Sequence, residues 1–217
     1  MRSAKCAAGG NGWRMAPAKS FDGYVFDYGG VLVHHQRDSD QKHMAEVAGI
    51  ADELFSGLYW AQRSDYDRGD VSGAEYWAEV GFAAGKTLTP AVIEELTELD
   101  STTWMNFDEP MWRWIEELRG AGKKVAMLSN MPSDLGLALK ARTDRMQLFD
   151  QITLSYEIRS IKPEAAIYEH CLGGIGTDPA RTVFFDDRIA NVQGAEMLGI
   201  QAVEFLNRDT VLALFRG

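Results

Sequence analysis

The sequence predicts a doubly wound α/β fold, a Rossmann-like parallel sheet interrupted by an inserted all-α unit. Three observations predict it. Short apolar runs of β type recur along the chain; helix-like segments with one apolar face separate them; and a long stretch after the first run carries helix starts and no strand. Strands alternating with helices in this way build a parallel sheet with helices on both faces.

The first run, Tyr24-Val25-Phe26, stops on a carboxylate, Asp27, and is followed by Gly29, Gly30 and the apolar Val31-Leu32-Val33. The later runs are Lys124–Leu128, Gln151–Leu154, Thr182–Phe185 and Gln201–Phe205. Most are continuously apolar instead of alternating, as strands covered on both faces are. Roughly residues 37–107 form the insert. There Ser72-Gly73-Ala74-Glu75 reads as a capping box, and Thr89-Pro90 as an N-cap with proline at the first helical position. Tyr59, Trp60, Tyr76, Trp77 and Trp104 are expected to make the insert's small core, with one or two of them lining a cleft. Further on, Pro163 is expected to open a helix with Ile167, Tyr168, Cys171 and Leu172 on its apolar face. Arg188–Leu198 is expected to form another, stopped by Gly199. The organisation that follows is a disordered extension over 1–19, with Met15 as a candidate start, a core of 20–36 plus 108–217, and a helical insert over 37–107.

At 217 residues, 46% apolar and 25% charged, the chain is long enough to bury a full core. Its formal net charge of −10 is spread along the chain, and no Lys/Arg cluster occurs. Nucleic acid and anionic membranes, which need a basic footprint, are thereby excluded as expected partners. No apolar stretch has the length of a membrane span, and the first twenty residues are too rich in glycine and polar groups for a secretory signal. Of the two cysteines, Cys6 lies in the extension and Cys171 on an apolar helix face, so a structural disulfide is not expected and the reducing cytoplasm is the expected compartment.

In an open parallel sheet, ligands bind beyond the carboxyl ends of the strands. The polar residues found there are Asp27, Ser129 with Asn130, Lys162 just ahead of Pro163, and Asp186 with Asp187. Each alone has an ordinary explanation as a turn, cap or surface residue. Three carboxylates, one ammonium and a hydroxyl gathered at one sheet edge are costly to leave without a ligand. They suit a divalent cation and a phosphate, with carboxylate oxygens on Mg²⁺ and Lys162 and Ser129 on the phosphate.

In order, Asp27-Tyr28-Gly29-Gly30-Val31-Leu32, Leu128-Ser129-Asn130, Lys162-Pro163 and Phe184-Phe185-Asp186-Asp187 resemble the four motifs of the haloacid dehalogenase-like hydrolase superfamily. The insert after the first motif resembles that superfamily's helical cap. The resemblance implies that Asp27 is the nucleophile and carries an aspartyl-phosphate. It implies Mg²⁺ held by Asp27, the backbone carbonyl of Gly29 and Asp186, with Asp187 orienting a metal-bound water or Lys162. Ser129 and the backbone around Asn130 would grip the phosphate of a small phosphorylated substrate, while Lys162 offsets charge. It also places the Asp27 strand centrally, between those ending at Leu128 and Phe185, under a cap that closes to exclude water and sets specificity.

One position departs from the pattern. The superfamily's phosphatases usually carry a second Asp two residues after the nucleophile, as general acid and base; here it is Gly29. Losing such a group costs about 10²- to 10⁴-fold, or roughly 3 to 5.5 kcal/mol in the barrier. Three readings stand. In the first, a Mg²⁺-dependent phosphatase takes substrates with a good leaving group: sugar 1-phosphates above all, or acyl or aryl phosphates. The Asp-x-Gly pattern resembles a branch that includes a bacterial sugar-1-phosphate phosphatase. In the second, Asp27 attacks carbon in a metal-free dehalogenase, with Arg37 or Arg63 receiving the halide, which leaves Asp186-Asp187 unbalanced. In the third, the chain binds phosphate or metal without useful turnover. His34 or His35 is an alternative source of the proton, as is Asp65 or Asp67; the polar-loop reading of both histidines stands beside it. The Gly-rich stretch at 173–178 follows a helix instead of a strand and reads as a connector.

Overall fold

A parallel sheet with β1 (Gly23–Phe26) at its centre organises the computed structural model, which describes residues 21–216. The predicted extension, with Cys6 and Met15, lies outside the described residues. The other strands are β2 (Lys124–Ser129), β3 (Gln151–Leu154), β4 (Thr182–Asp186) and β5 (Gln201–Glu204). Their order is β3-β2-β1-β4-β5, and every pair is parallel. All five apolar runs are thus strands, and β1 takes the expected central place. The chain moves from β1 outward to β2 and β3, then returns to β4 on the other side. That reversal makes the carboxyl end of β1 the topological switch point, where such sheets bind ligands.

Alternation along the strands divides the core into two layers. Phe26, Val125, Met127 and Phe185 face Trp112, Trp114 and Ile115 of α6 (Glu109–Gly120). Val25, Ala126 and Phe184 face Ile167, Tyr168 and Cys171 of α9 (Ala165–Ile175) and Ala195 of α10 (Ile189–Glu196). β1 and β4 are buried throughout, which is why their sequences do not alternate. β5, at the edge, is half-buried or exposed.

Between β1 and α6 the chain forms α1 (Asp38–Ala48), α2 (Asp52–Ala61), α3 (Arg63–Arg68), α4 (Gly73–Ala83) and α5 (Pro90–Thr103). Both predicted helix starts are present. Ser72 Oγ accepts from Glu75 N at 3.2 Å while Glu75 Oε2 accepts from Ser72 N at 2.8 Å. Thr89 Oγ1 accepts from Val92 N at 3.3 Å ahead of Pro90. The insert has its own apolar cluster around Phe55, Tyr59, Tyr76, Trp77 and Leu96. Two of the five predicted aromatics lie elsewhere. Trp60 is 47% exposed, because its neighbour Tyr59 takes the inward face of α2 and adjacent helix positions do not share a face. Trp104 is buried but joins the sheet-side cluster, since it follows α5 where the chain returns to the core.

The remaining helices are α7 (Ser133–Arg142), α8 (Ser155–Ile158) and α11 (Arg208–Arg216). Pro163 does not open the helix after Lys162. It sits in a turn, joined to Lys162 by a cis peptide bond, and α9 begins at Ala165 after Glu164. The helix following Arg188 ends at Glu196 rather than Leu198, with Gly199 left-handed beyond it at φ 81°.

Trp77 is fully buried at the centre of the insert's cluster. Trp77→Ala is expected to cost about 3–5 kcal/mol of folding stability, read from urea unfolding; a loss below 1 kcal/mol would contradict the packing described.

Candidate active site

The register of the sheet brings the candidate residues to one edge. Phe26 pairs with Met127 on one side and Phe185 on the other, so Asp27 lies just beyond β1 level with Leu128 and Asp186, one residue short of Ser129. Asp27 N donates to Phe185 O at 2.9 Å, and Tyr28 N donates to Asp27 Oδ1 at 2.6 Å. Lys162 reaches across from the loop after α8. Its Nζ lies 2.8 Å from Asp27 Oδ1, 2.6 Å from Asp186 Oδ2 and 3.0 Å from the Leu128 carbonyl, which engages all three of its protons. Asp186 is held in turn by Asn191 Nδ2, at 2.9 and 3.1 Å, and by Arg188 N at 2.8 Å. Asn130 fixes the lysine's main chain from both sides: Nδ2 donates to Lys162 O at 3.1 Å, and Oδ1 accepts from Lys162 N at 2.8 Å. That side-chain clamp was not foreseen for Asn130.

Asp187 is half-buried and 3.2 Å from His35 Nε2, so its partner is His35 and not Lys162. Oxygens of Asp27, Asp186 and Asp187 all lie within 4.8 Å of one another. Burial, reinforced by Asp186 and Asp187 against the pull of Lys162, raises Asp27 to about 7. Burial opposes the charge on Lys162, but Asp186 and Asp27 outweigh it and hold the ammonium above its ordinary range. His35 is raised by its hydrogen bond to Asp187, which burial partly offsets. Three carboxylates facing one ammonium are the donor set a hard divalent cation takes, and these residues fit one.

The two glycines have separate reasons. Gly30 is left-handed at φ 71°, and a Cβ there would fall 2.7 Å from the His35 ring and 2.8 Å from Asp187 Oδ2. At Gly29 a Cβ would meet the indole of Trp104 at 3.3 Å. These residues open on a cavity of about 660 Å³ between the sheet edge and the insert, with Asp27, Ser129 and Lys162 on its floor and Trp60 and Trp104 among its walls. Arg188 also lines it; its guanidinium makes no hydrogen bond or ion pair with any described residue, and only its place directly after Asp186-Asp187 pointed to it.

Other candidates sort by position. His35 lines the cavity, whereas His34 turns to Asp108 at 3.9 Å. Arg37 is exposed beside Asp40. Arg63 is not a surface residue. It is buried, with Nη1 2.8 Å from Asp100 Oδ2 and 2.7 Å from Tyr59 OH, and Nε 2.9 Å from Asp67 Oδ1. Two carboxylates already claim this cation, and burial raises Asp67 despite it. Asp67 lines the cavity and Asp65 does not. The insert is tied to the floor by Tyr66 OH donating to Asp134 Oδ2 at 2.8 Å and by Arg68 with Glu164 at 2.6 Å. Ser155 Oγ also donates to the Asp67 carbonyl while accepting from Met131 N at 2.9 Å. Residues 173–175 are the last turn of α9, so the predicted connector begins only at Gly176; none of the stretch lines the cavity, and Cys171 is free and buried. No helix among the described residues is long and apolar enough to cross a membrane.

A strand-end carboxylate ion-paired to a loop lysine, with two further acids at the end of the adjacent strand, stands at the switch point of an α/β sheet. The chain belongs to the haloacid dehalogenase-like hydrolase family, whose pattern it matches over residues 21–199. It is 28% identical over 181 residues to a sesquiterpene phosphatase of Aspergillus oryzae, covering 83% of this chain and 88% of that one. It is 26% identical over 192 residues to a D-ribitol-5-phosphate phosphatase of Bacteroides thetaiotaomicron, covering 83% and 89%. A haloacid dehalogenase family enzyme from the same Bacteroides species shares its fold, with a TM-score of 0.73 at 22% identity over 92% of this chain and 100% of that one. That enzyme has also been solved in complex with magnesium and inorganic phosphate, with a TM-score of 0.68 at 21% identity over 84% of this chain and 93% of that one.

Arg63→Met leaves Asp67 and Asp100 buried without their cation. The expected loss is about 3–5 kcal/mol in urea unfolding; a variant as stable as the parent would show the network to be dispensable.

Proposed function

We propose that this chain is a Mg²⁺-dependent phosphatase of small phosphorylated metabolites, acting through an aspartyl-phosphate on Asp27, with α1–α5 as a cap over the site. The observation that carries the reading is the buried ammonium of Lys162 bridging Asp27 and Asp186 on the floor of the cavity between sheet edge and insert. Asp27, the Gly29 carbonyl and Asp186 would hold Mg²⁺, which when bound shields the repulsion between a carboxylate and a phosphate dianion. The chain's own residues do the rest. Lys162 orients the Asp27 carboxylate and offsets charge; Asn130 keeps Lys162 in place; Ser129 offers its hydroxyl to a phosphate oxygen from the cavity wall. An Asp27 oxygen attacks phosphorus, the bond to the leaving oxygen breaks with its electron pair on that oxygen, and water then cleaves the aspartyl-phosphate to return Asp27 and release phosphate.

With glycine at 29, the substrate must bring a leaving oxygen that needs little help, and sugar 1-phosphates lead that class. The aromatic walls formed by Trp60 and Trp104, together with the sesquiterpene phosphatase relative, favour a phosphate on an apolar body as a second candidate. The metal-free dehalogenase reading is weakened because Arg63 is committed to Asp100 and Asp67 while Arg37 lies exposed outside the cavity. The reducing cytoplasm remains the proposed setting, which a free buried Cys171 suits.

Phosphate release from sugar 1-phosphates, sugar 6-phosphates, acetyl phosphate and an aryl phosphate, with Mg²⁺ and with chelator, tests the reading. Asp27→Asn is expected to lower turnover by at least about 10³-fold. Chelator-resistant activity, or turnover of halogenated acids in place of esters, would overturn it.

The raised Asp27 gives a pH dependence of known sign. Its folded pKa of about 7 lies above the ordinary carboxylate value, so without metal its contribution to stability is complete at low pH and is lost as pH rises through about 7. Mg²⁺ requires the deprotonated carboxylate. Its affinity, and the rise in Tm that it gives, should therefore be greater at pH 8 than at pH 6, and Asp27→Asn should flatten both. Calorimetry in two buffers would register the released proton; equal affinity at both pH values would contradict the assignment.

A further inference from the structure

A side chain at position 29 would start in tight contact with the indole of Trp104. A Cβ built on Gly29 has three nearest neighbours, all in the benzo ring of Trp104: Cζ3 at 3.3 Å, Cη2 at 3.8 Å and Cε3 at 3.9 Å. A carboxyl group continuing toward the ring would press on it, so the indole limits the directions such a group can take. Nor is the indole free to swing aside. Trp104 is 8% exposed; its main-chain carbonyl accepts from Tyr28 OH at 2.7 Å, its Nε1 is directed at Tyr59 OH at 3.4 Å, and the His35 ring stands edge-on with centroids 6.3 Å apart. The N–H is thus engaged by the insert, and the face toward Gly29 is carbon. Gly29 and Trp104 both line the cavity above Asp27.

We propose that Trp104 is the specificity-determining residue of this site. By filling the side-chain volume over Gly29 it replaces a proton donor with an apolar wall. It thereby restricts turnover to esters whose leaving oxygen departs as a stable anion, and it packs against flat apolar leaving groups. The inference rests on the phosphatase reading and deepens it. In the step concerned, Asp27 forms the new bond to phosphorus and the P–O bond to the leaving group breaks. With no donor at 29, the electron pair stays on the departing oxygen, so the rate follows the acidity of the leaving alcohol steeply. Position 29 and Trp104 then act as a pair: glycine is required because the tryptophan is there.

The test is a series of esters from nitrophenyl phosphate through phenyl phosphate to a simple alkyl phosphate, with acetyl phosphate as a small substrate of equally good leaving group. For the parent enzyme with Mg²⁺, kcat/KM should fall at least about 10²-fold from the nitrophenyl to the alkyl ester. Gly29→Asp alone should not flatten that fall, since the ring blocks the new side chain. Gly29→Asp combined with Trp104→Ala should flatten it, raising alkyl turnover relative to nitrophenyl by about 10²-fold or more. Trp104→Ala alone should raise KM for aryl esters about 10-fold more than for acetyl phosphate. A shallow series in the parent would overturn the proposal without any variant, because another group would then be donating the proton. So would flattening by Gly29→Asp alone, or a folded double variant with the parent's slope. Should the double variant not fold, the parent series and the KM contrast of Trp104→Ala still decide. If the parent turns over neither nitrophenyl nor acetyl phosphate, the phosphatase reading fails and takes this inference with it.

Discussion

The buried ammonium of Lys162, shared among Asp27, Asp186 and the Leu128 carbonyl, is the interaction on which the site's arrangement depends. Taking an ammonium and two carboxylates out of water costs several kcal/mol per ion, and only close, well-satisfied geometry returns it. The surroundings meet that demand. Asn191 and Arg188 N both donate to the other oxygen of Asp186, and Asn130 pins both the N–H and the carbonyl of Lys162. Neighbouring strands β1 and β4 bring the two acids together, but the lysine comes from a loop after β3, two strands away from β1 and three from β4. Asn130, at the end of β2, bridges that distance. The lysine thus depends on the sheet through a neighbour's side chain as much as through its own loop.

A second buried cation plays a different part. Arg63 is enclosed by Tyr59, Asp100 and Asp67 and lies over the rings of Tyr59, Tyr66 and Tyr76. It joins α2, α3 and α5 inside the insert, where a small apolar cluster gains little by burial alone. Because Asp67 is both a partner of Arg63 and part of the cavity wall, the network that stiffens the insert also shapes what stands over Asp27.

Much of this was legible in the sequence, for identifiable reasons. Strands buried on both faces leave continuous apolar runs, and capping boxes leave spaced polar pairs, so β1 to β5 and the starts of α4 and α5 could be read locally. The carboxylates and Lys162 could be gathered because topology alone sends strand ends to one edge. What escaped depends on contacts far apart in the chain. Nothing near Arg63 announces Asp100, thirty-seven positions on. Nothing near Gly29 announces Trp104, and the pairing of Asp187 with His35 relies on a left-handed turn at Gly30. Pro163 misled because proline marks both a helix start and a turn, and here it lies in the turn ahead of α9.

The hydroxyl of Ser155 links these parts in a way that matters once the insert moves. It donates to the Asp67 carbonyl of α3 and accepts from Met131 N, directly after Asn130. If α3 lifts, the proton loses its acceptor, but the Met131 carbonyl stands 3.2 Å away as a replacement. A single rotation about one C–O bond then satisfies the hydroxyl again, and the bond from Met131 N is kept. On the proposed cap motion Ser155 would work as a clutch, coupling the two halves when engaged and releasing them with its own hydroxyl still bonded. The bond from Met131 N to Ser155 on the floor of the site would then persist whether or not α3 is seated above it.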